Sequence, residues 1–344
     1  MISYYKLKMT TIGLRYILIT LYVYIRYSYA CFGLSLVWEG QNFTSPQITI
    51  PGLNYGVVRT DHIERRDILF DKSINGNILR VSYGYNKTND KGYGTQFWSR
   101  IINDTEAMLS YDMFLNYNFI PALGGKLPGL YGINEKSENF DGGGCTGGFL
   151  SNGKNCWSAR LMWREMLLGE VYAYIPPTEN THLCKNIDEN KYIECNAEFG
   201  MSIGRNFTFV RERWINVKQY IKLNTIGYKN GLLRLYIDDE LVVYASNLVF
   251  RITNDLTISG MLFSTFYGGK CDIDSNWCPP NPTYAYFKNF KIYGTKKNIL
   301  PSNNPNICIN KKNKQCDGQT WQGPRCCSSN LKCIYKSPYY SYCG

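Results

Sequence analysis

The chain has 344 residues, 44% of them hydrophobic and 15% aromatic, so it can bury a core and does not have the composition of a disordered polymer. Its 31 glycines and 29 tyrosines favour strands and turns over helices. The formal charge of +11 is no nucleic-acid signature, because four cations lie in the first 30 residues, six lie in the last 37, and no nucleic-acid motif is present.

Residues 1–30 are typical of a secretory signal peptide. Lys6 and Lys8 precede an apolar run at 16–25, which ends near the sequence Ser-Tyr-Ala at 28–30. The run is shorter than the roughly 20 apolar residues of a membrane anchor. We therefore expect an extracellular, monomeric protein with no membrane contact after signal cleavage. An uncleaved signal anchor is the alternative.

Thirteen cysteines suit an oxidising compartment. Cys31 follows the predicted cleavage site, and three close pairs predict disulfides that each staple one loop: Cys145/Cys156, Cys184/Cys195 and Cys271/Cys278. Four N-glycosylation sequons also suit secretion, at Asn42, Asn86, Asn103 and Asn206. With two histidines and no paired Cys-x-x-Cys motifs, we expect no metal site and no cofactor.

From about residue 32 to 295, short strand patterns alternate with turn residues. The clearest lie at 76–86, 111–120, 157–163, 170–176, 206–210, 214–224, 231–238, 240–245 and 285–294. Asp238 and Asp239 mark the turn of a hairpin. Many strands without intervening helices predict packed antiparallel sheets. We expect residues 31–295 to form an all-β antiparallel jelly-roll sandwich, with a groove for an extended ligand on its concave face.

Three segments of this domain carry groups suited to chemistry. Residues 122–132 place Lys126 between two glycines and a predicted Pro128-Gly129 turn. Residues 157–176 predict a hairpin on which Ser158 and Arg160 share a face with Tyr172 and Tyr174, because side chains alternate along strands. Residues 263–280 predict a glycine-rich loop closed by a disulfide. A surface lysine and a cross-strand tyrosine ladder are the purely structural alternatives.

The C-terminal region has a linker composition at 296–307 and six cysteines at 308–344. The run QCDGQTWQGPRCC at 315–327, followed by PYYSYC at 338–343, resembles the fungal-type family 1 carbohydrate-binding module. This resemblance implies a small disulfide-rich cellulose-binding module with three bridges: Cys308–Cys326, Cys316–Cys333 and Cys327–Cys343.

The same resemblance implies a cellulose surface as partner, because aromatic rings of such modules stack on pyranose faces. Tyr339 and Tyr340 match two platform positions, and Trp321 matches a further aromatic position. Asn313 stands where the family usually has Trp or Tyr, and Tyr342 replaces the usual Gln. The alternative is that these tyrosines only pack the small domain.

The candidate catalytic set combines cations with phenols. It holds no carboxylate pair of the kind that glycosidases need, and neither histidine lies in a Ser-His-Asp motif. Cations and phenols suit β-elimination on a uronic acid polymer, in which an arginine neutralises the carboxylate, a base removes H5 and an acid protonates O4. A tyrosine can transfer either proton if neighbouring cations lower its pKa.

The motifs GGKLPGLYG at 124–132 and CWSARLMWREMLLGEVYAYIP at 156–176 resemble polysaccharide lyase family 14 and the related glucuronan lyases. Similarity extends over about residues 75–294 and implies a β-jelly roll acting on alginate or glucuronan. It implies catalytic roles for Lys126, Arg160, Tyr172 and Tyr174, and a substrate hydrogen bond from Ser158. Gln96 is predicted as a further contact to the substrate carboxylate.

Two other functions stay open on the sequence alone. A non-catalytic jelly-roll protein would bind polyuronides without releasing product. A glycoside hydrolase with carboxylates outside any recognisable motif would release reducing ends without an unsaturated product. The main hypothesis is a secreted polyuronide lyase that its C-terminal module holds near cellulose.

Overall fold

The computed structural model describes residues 33–40, 57–61, 66–71, 76–83, 94–134, 136, 145–185, 193–196, 200–268, 276–277, 279, 281–295, 313, 315–317, 327 and 331–344. Several predictions concern residues outside this set: the signal peptide 1–30, the linker 296–307, Cys31, Cys271, Cys278, Cys308, Cys326, Trp321, and the sequons at Asn42 and Asn86.

In chain order the strands are β1 (Ser35–Glu39), β2 (Val57–Asp61), β3 (Arg66–Asp71), β4 (Gly76–Tyr83), β5 (Gly94–Asp104), β6 (Glu106–Leu115), β7 (Gly124–Ile133), β8 (Cys156–Arg164), β9 (Leu168–Tyr174), β10 (Ile193–Asn196), β11 (Gly200–Thr208), β12 (Trp214–Lys222), β13 (Gly231–Ile237), β14 (Glu240–Leu248), β15 (Ile258–Tyr267), β16 (Thr283–Gly294), β17 (Gln315–Asp317), β18 (Cys333–Ser337) and β19 (Tyr340–Cys343). A short helix α1 (Thr181–Lys185) interrupts the all-β pattern.

Two eight-stranded antiparallel sheets form the main domain. The first has the order β14-β13-β12-β6-β16-β4-β3, with β1 also paired to β16. The second has the order β10-β11-β9-β8-β7-β15-β5-β2. Neighbours distant in sequence, such as β7 and β15, lie side by side in the second sheet. The predicted antiparallel β-sandwich is confirmed.

Side-chain alternation builds the core between the sheets. Along β8, Trp157, Ala159, Leu161 and Trp163 face the first sheet and belong to one large buried cluster. The predicted hairpin at Asp238-Asp239 is confirmed: it joins β13 to β14, and both residues have positive φ values, 49° and 70°.

The predicted turn at Pro128-Gly129 is wrong. Both residues lie inside β7, whose ten residues are all buried, and the pairing of β7 with β8 shifts between Leu127 and Gly129. This bulge changes which side chains point inward. Leu127 and Leu130 both face the core, whereas Lys126 and Tyr131 face away from it.

Polar groups from the first sheet satisfy the backbone at this bulge. Gln219 of β12 is fully buried; its Oε1 accepts from the Leu130 amide at 2.7 Å, and its Nε2 donates to the Ala159 carbonyl at 2.7 Å. The Tyr111 hydroxyl donates to the Pro128 carbonyl at 3.2 Å. Buried backbone groups need such partners, so these bonds fix the bulge in place.

The C-terminal region contains a three-stranded sheet of order β17-β19-β18. Its bridges Cys316–Cys333 and Cys327–Cys343 are present as predicted. Within the described part of the chain, no helix has the length and apolar character needed to cross a membrane.

The predicted disulfides of the main domain have two different outcomes. Cys145–Cys156 and Cys184–Cys195 are both formed, so those two loops are stapled as predicted. The third pair, Cys271 and Cys278, lies outside the described residues, as does the Cys308–Cys326 pair of the C-terminal module. The Cys271–Cys278 and Cys308–Cys326 bridges therefore stay predictions.

Replacing Gln219 tests the hydrogen bonds that cross the sandwich. Gln219→Leu keeps most of the side-chain volume but leaves the Leu130 amide and the Ala159 carbonyl without these partners. We expect a loss of about 2 kcal/mol or more in the free energy of unfolding, measured by urea denaturation. Gln219→Ala also removes both hydrogen bonds but leaves a cavity, so comparing its stability with that of Gln219→Leu separates the cost of the cavity from the cost of the lost bonds. Wild-type stability in Gln219→Leu would show that these bonds do not hold the bulge.

Candidate active site

The outer face of the second sheet, turned away from the first sheet, gathers the predicted catalytic residues. Strands β7, β8 and β9 lie side by side, and the register pairs Arg160 with Tyr172 and Ser158 with Tyr174. The rings of Tyr172 and Tyr174 meet edge to face at 5.5 Å. The shared face predicted for the hairpin is therefore present, and Lys126 of β7 joins it.

Lys126 contacts both strands of the hairpin. Its Nζ lies 3.7 Å from the centre of the Tyr172 ring and donates to the sulfur of Met162. Burial, together with the charges of Arg160 and Arg164, holds the pKa of Lys126 well below its usual value, and Glu170 opposes this shift only in part. Lys126 thus gives up its proton more readily than a surface lysine.

Arg160 is almost fully buried and reaches across the sheet. Its Nη1 donates to the Ser264 hydroxyl at 3.0 Å, and this hydroxyl donates in turn to Gln96 Oε1 at 3.0 Å. Its guanidinium carbon lies 5.5 Å from the Tyr174 ring centre. Burial lowers the pKa of Arg160 to about 10, so the side chain stays cationic at neutral pH.

The Nε of Arg160 has no hydrogen-bond partner among the residues that the structure describes. Its three nitrogens are all donors, and a carboxylate is the group that best matches a guanidinium. Gln96 reaches this cation through Ser264 rather than directly.

Tyr172 does not meet the condition under which a tyrosine could transfer a proton in either direction, namely that neighbouring cations lower its pKa. Instead, burial and then the nearby Tyr174 raise the pKa of Tyr172 to about 12, and Arg164 and Arg160 offset this only in part. Desolvation outweighs the cations because the phenolate would lose water on this crowded face. Tyr172 is therefore a protonated phenol, suited to donate a proton.

Ser158 is fully buried, and its hydroxyl donates to the Cys145 carbonyl at 2.6 Å. The bond ties the loop closed by Cys145–Cys156 to β8. Ser158 was predicted to donate a hydrogen bond to the substrate, but in this structure its hydroxyl donates to the Cys145 carbonyl instead.

Glu170 is a site residue that the sequence reasoning missed. Its carboxylate is fully buried on β9 and binds two arginines: Arg164 at 2.7 Å and Arg205 at 2.8 Å. Ser202 donates to the same carboxylate at 2.6 Å. Glu170 alternates with Tyr172 and Tyr174 along one strand, so period-two spacing was the signal that could have revealed it.

The C-terminal module exposes two of the predicted cellulose-binding tyrosines. Tyr339 is 62% exposed and Tyr340 is 36% exposed. Tyr342, which lies on the same side of β19 as Tyr340, holds its ring nearly parallel to that of Tyr340, at 19° and 6.3 Å. Asn313 is exposed and has a φ of 68°, a backbone conformation that Asn tolerates better than bulky residues.

The structure also brings Cys316, Cys327 and Cys343 together, with their sulfur atoms within 4.8 Å of one another. Each of them forms a disulfide, so these thiols are not available as metal ligands.

Two family models match the chain. Residues 71–290 match polysaccharide lyase 14, and residues 314–340 match the fungal cellulose-binding domain. A solved structure of the PL-14 alginate lyase from Aplysia kurodai is 30% identical, with a TM-score of 0.63; the match covers 75% of this chain and 98% of the other.

Two curated relatives match parts of the chain. Exolysin of Paramecium bursaria Chlorella virus 1 is 28% identical over 60% of this chain and 33% of its own length. Exoglucanase 2 of Hypocrea jecorina is 55% identical over 29 residues, which are 8% of this chain and 6% of its own length. The chain thus spans a third or less of the length of these curated relatives.

The role of Ser158 can be tested by removing its hydroxyl. Ser158→Ala leaves the buried Cys145 carbonyl without this partner, so we expect the free energy of unfolding to fall by about 1–3 kcal/mol in urea denaturation. Ser99→Ala is the matched control, because the Ser99 hydroxyl is equally buried and has no partner among the described residues. Equal stability of both variants would contradict a structural role for Ser158.

Proposed function

The chain belongs to the polysaccharide lyase 14 family, and we propose on this basis that it cleaves a uronic acid polymer of the alginate or glucuronan type by β-elimination. The observation that carries the proposal is a buried arginine beside a lysine and two tyrosines on one sheet face; the Nε of this arginine has no partner in the part of the chain that the structure describes. Alginate is included because the similar Aplysia kurodai protein is an alginate lyase.

In the proposed reaction, Arg160 binds the carboxylate of the uronic acid next to the scissile bond. H5 of that sugar is very weakly acidic, and removing it places negative charge on the carboxylate. A guanidinium held in a dry site stabilises this developing charge without reorganising at the moment of reaction. Ser264 and Gln96 hold the guanidinium at the required place.

Lys126 is the proposed base and Tyr172 the proposed acid. The depressed pKa of Lys126 favours its neutral amine, which accepts H5 as the C5–H bond breaks. The electrons form the C4–C5 double bond, the C4–O4 bond breaks, and the Tyr172 hydroxyl gives its proton to O4. Proton transfer from the Lys126 ammonium to the Tyr172 phenolate then restores both groups.

Glu170 is unsuited to the acid–base role that a hydrolase would need. Two arginines and a serine already hold its carboxylate, and their hydrogen bonds and charges outweigh the effect of burial and keep its pKa below its usual value. A fixed carboxylate of this kind neither donates a proton nor attacks a sugar. This favours elimination over glycoside hydrolysis.

We further propose that the protein is secreted and that its C-terminal module binds cellulose. Disulfides, the sequons and the N-terminal pattern support secretion. The match to the fungal cellulose-binding domain supports the binding partner. Tyr342 supplies a ring beside Tyr340 and replaces the one missing at Asn313.

The lyase proposal predicts that Lys126→Arg loses about 10²–10⁴-fold in kcat, because an arginine stays protonated and cannot accept H5. The measurement is ultraviolet absorbance of the unsaturated product on glucuronan, polymannuronate and polyguluronate. Lys136→Arg is the control, since Lys136 is exposed and pairs with Asp255. The wild-type rate should rise with pH as Lys126 becomes neutral.

Two outcomes would contradict this assignment. An unchanged rate in Lys126→Arg would remove Lys126 from the proton-transfer step. Binding of polyuronides by the folded wild-type protein without any product would indicate the non-catalytic alternative, and binding would then survive the double change Tyr172→Phe and Tyr174→Phe.

The platform proposal predicts that Tyr342→Gln weakens adsorption of the full chain to crystalline cellulose about 3–10-fold, as expected for the loss of one stacked ring. Tyr335→Gln is the matched control, because Tyr335 is 69% exposed but pairs with Ser341 and so lies on the opposite side of the same sheet. Equal losses in both variants, or no loss in Tyr342→Gln, would argue against this platform.

A further inference from the structure

The buried carboxylate of Glu170 lies at the centre of a charge network beside the proposed base. Both of its oxygens are occupied: Arg164 donates to Oε1 at 2.9 Å through Nε, and Arg205 donates to Oε2 at 2.8 Å. Arg205 also pairs with the exposed Glu194 at 2.9 Å. A carboxylate with no exposure needs such partners, since burying it alone would be very costly.

The register brings this network to Lys126. Lys126 of β7 pairs with Met162 of β8, and Met162 pairs with Glu170 of β9. Lys126 donates to the Met162 sulfur, so the side chain of Met162 lies between the Lys126 amine and strand β9, which carries Glu170. The guanidinium of Arg164 lies 5.9 Å from the centre of the Tyr172 ring, against which Lys126 also rests.

We propose that Glu170 is a positioning residue of the active site: it neutralises Arg164 and Arg205 and thereby sets how readily Lys126 exchanges its proton. The inference rests on the proposed function, in which Lys126 is the base. Glu170 touches neither the substrate nor the reacting atoms and acts only through the charge that it contributes and the arginines that it holds.

The charges around Lys126 among the described residues come from two neighbouring strands. Strand β8 contributes Arg160 and Arg164, both cationic, and β9 contributes Glu170 and the neutral phenol of Tyr172. Strand β15, on the other side of β7, pairs Phe266 with Lys126 and adds no charge there. Glu170 is the one described group whose charge opposes the two arginines at Lys126.

This balance determines the direction of each effect. Arg160 and Arg164 lower the pKa of Lys126, and Glu170 raises it. Without the carboxylate, Arg164 and Arg205 would be uncompensated, and the amine would bind its proton more weakly still. Without Arg164, Glu170 would keep Arg205 and Ser202 as partners, and the amine would hold its proton more tightly.

If Glu170 only stabilised the fold by binding its two arginines, the variants would behave differently. Removing either partner of a buried ion pair destabilises a protein, so Glu170→Gln and Arg164→Gln would both lower stability. A structural role gives no reason for the two changes to move the titration of Lys126 in opposite directions. Opposite shifts are therefore the signature of the electrostatic role.

The experiment uses the full chain carrying ¹³C-labelled lysine, without substrate. The Lys126 ε-carbon resonance, assigned with Lys126→Arg, is followed against pH by NMR. We expect Glu170→Gln to move its titration to lower pH and Arg164→Gln to move it to higher pH, each by on the order of one pH unit. The acidic limb of kcat/KM on a polyuronide should move with it.

Glu194→Gln is the matched control, because it removes an exposed carboxylate from Arg205 and leaves Glu170 in place. It should leave the Lys126 titration at its wild-type position. Shifts in the same direction for Glu170→Gln and Arg164→Gln, or no shift in either, would overturn the proposal. If Glu170→Gln does not fold, an unmoved or lowered titration in Arg164→Gln overturns it.

The two readouts separate this inference from the function on which it rests. Opposite NMR shifts in a wild-type background that makes no unsaturated product would support the control of Lys126 by Glu170 and overturn the lyase assignment. Product formation with unmoved NMR titrations would support the lyase assignment and overturn the role of Glu170.

Discussion

The bulge in β7 is the constraint on which the site depends. A regular strand would send Lys126 and Tyr131 to opposite faces, because side chains alternate. The shift at Pro128-Gly129 lets both face outward while Leu127 and Leu130 stay in the core. Gly129 permits it, since a Cβ there would overlap the Ala159 carbonyl. The amide of Gln219, from the opposite sheet, satisfies the backbone groups involved, so hydrogen bonds in the core position Lys126 on the outer face of the sheet.

Burial is the second determinant of the site's chemistry. Loss of water lowers the pKa of Lys126 and of Arg160 and raises that of Tyr172, so each group is moved towards its neutral form. Glu170 is the exception, because direct bonds from Arg164 and Ser202 outweigh the effect of burial. Burial thus places on one sheet face a lysine that releases its proton readily and a tyrosine that keeps its proton.

The sequence predicted much of this arrangement and failed at identifiable points. Alternation placed Arg160 and Tyr172 on one face because that rule is local. The rule failed at Pro128, where turn-forming residues occupy a strand whose neighbours supply the missing bonds. The sequence made proton transfer by a tyrosine conditional on neighbouring cations lowering its pKa, and Tyr172 does not meet this condition, because the packed sheet buries the phenol and raises its pKa. Glu170 was missed although alternation along β9 places it on the same face; only its second arginine partner, Arg205, lies far away in sequence, 35 residues later on another strand.

The sequence by itself determined the class of the fold, the shared face of the β8–β9 hairpin and the stapled C-terminal module. These follow from short-range patterns: alternation, turn residues and cysteine spacing. Only the tertiary structure decided that Lys126 joins this face, that Gln219 fixes the bulge behind it and that Glu170 balances the charge beside it. Each of those depends on strands that are distant in sequence and become neighbours only when the two sheets pack, and a single sequence carries no local signal for such pairings.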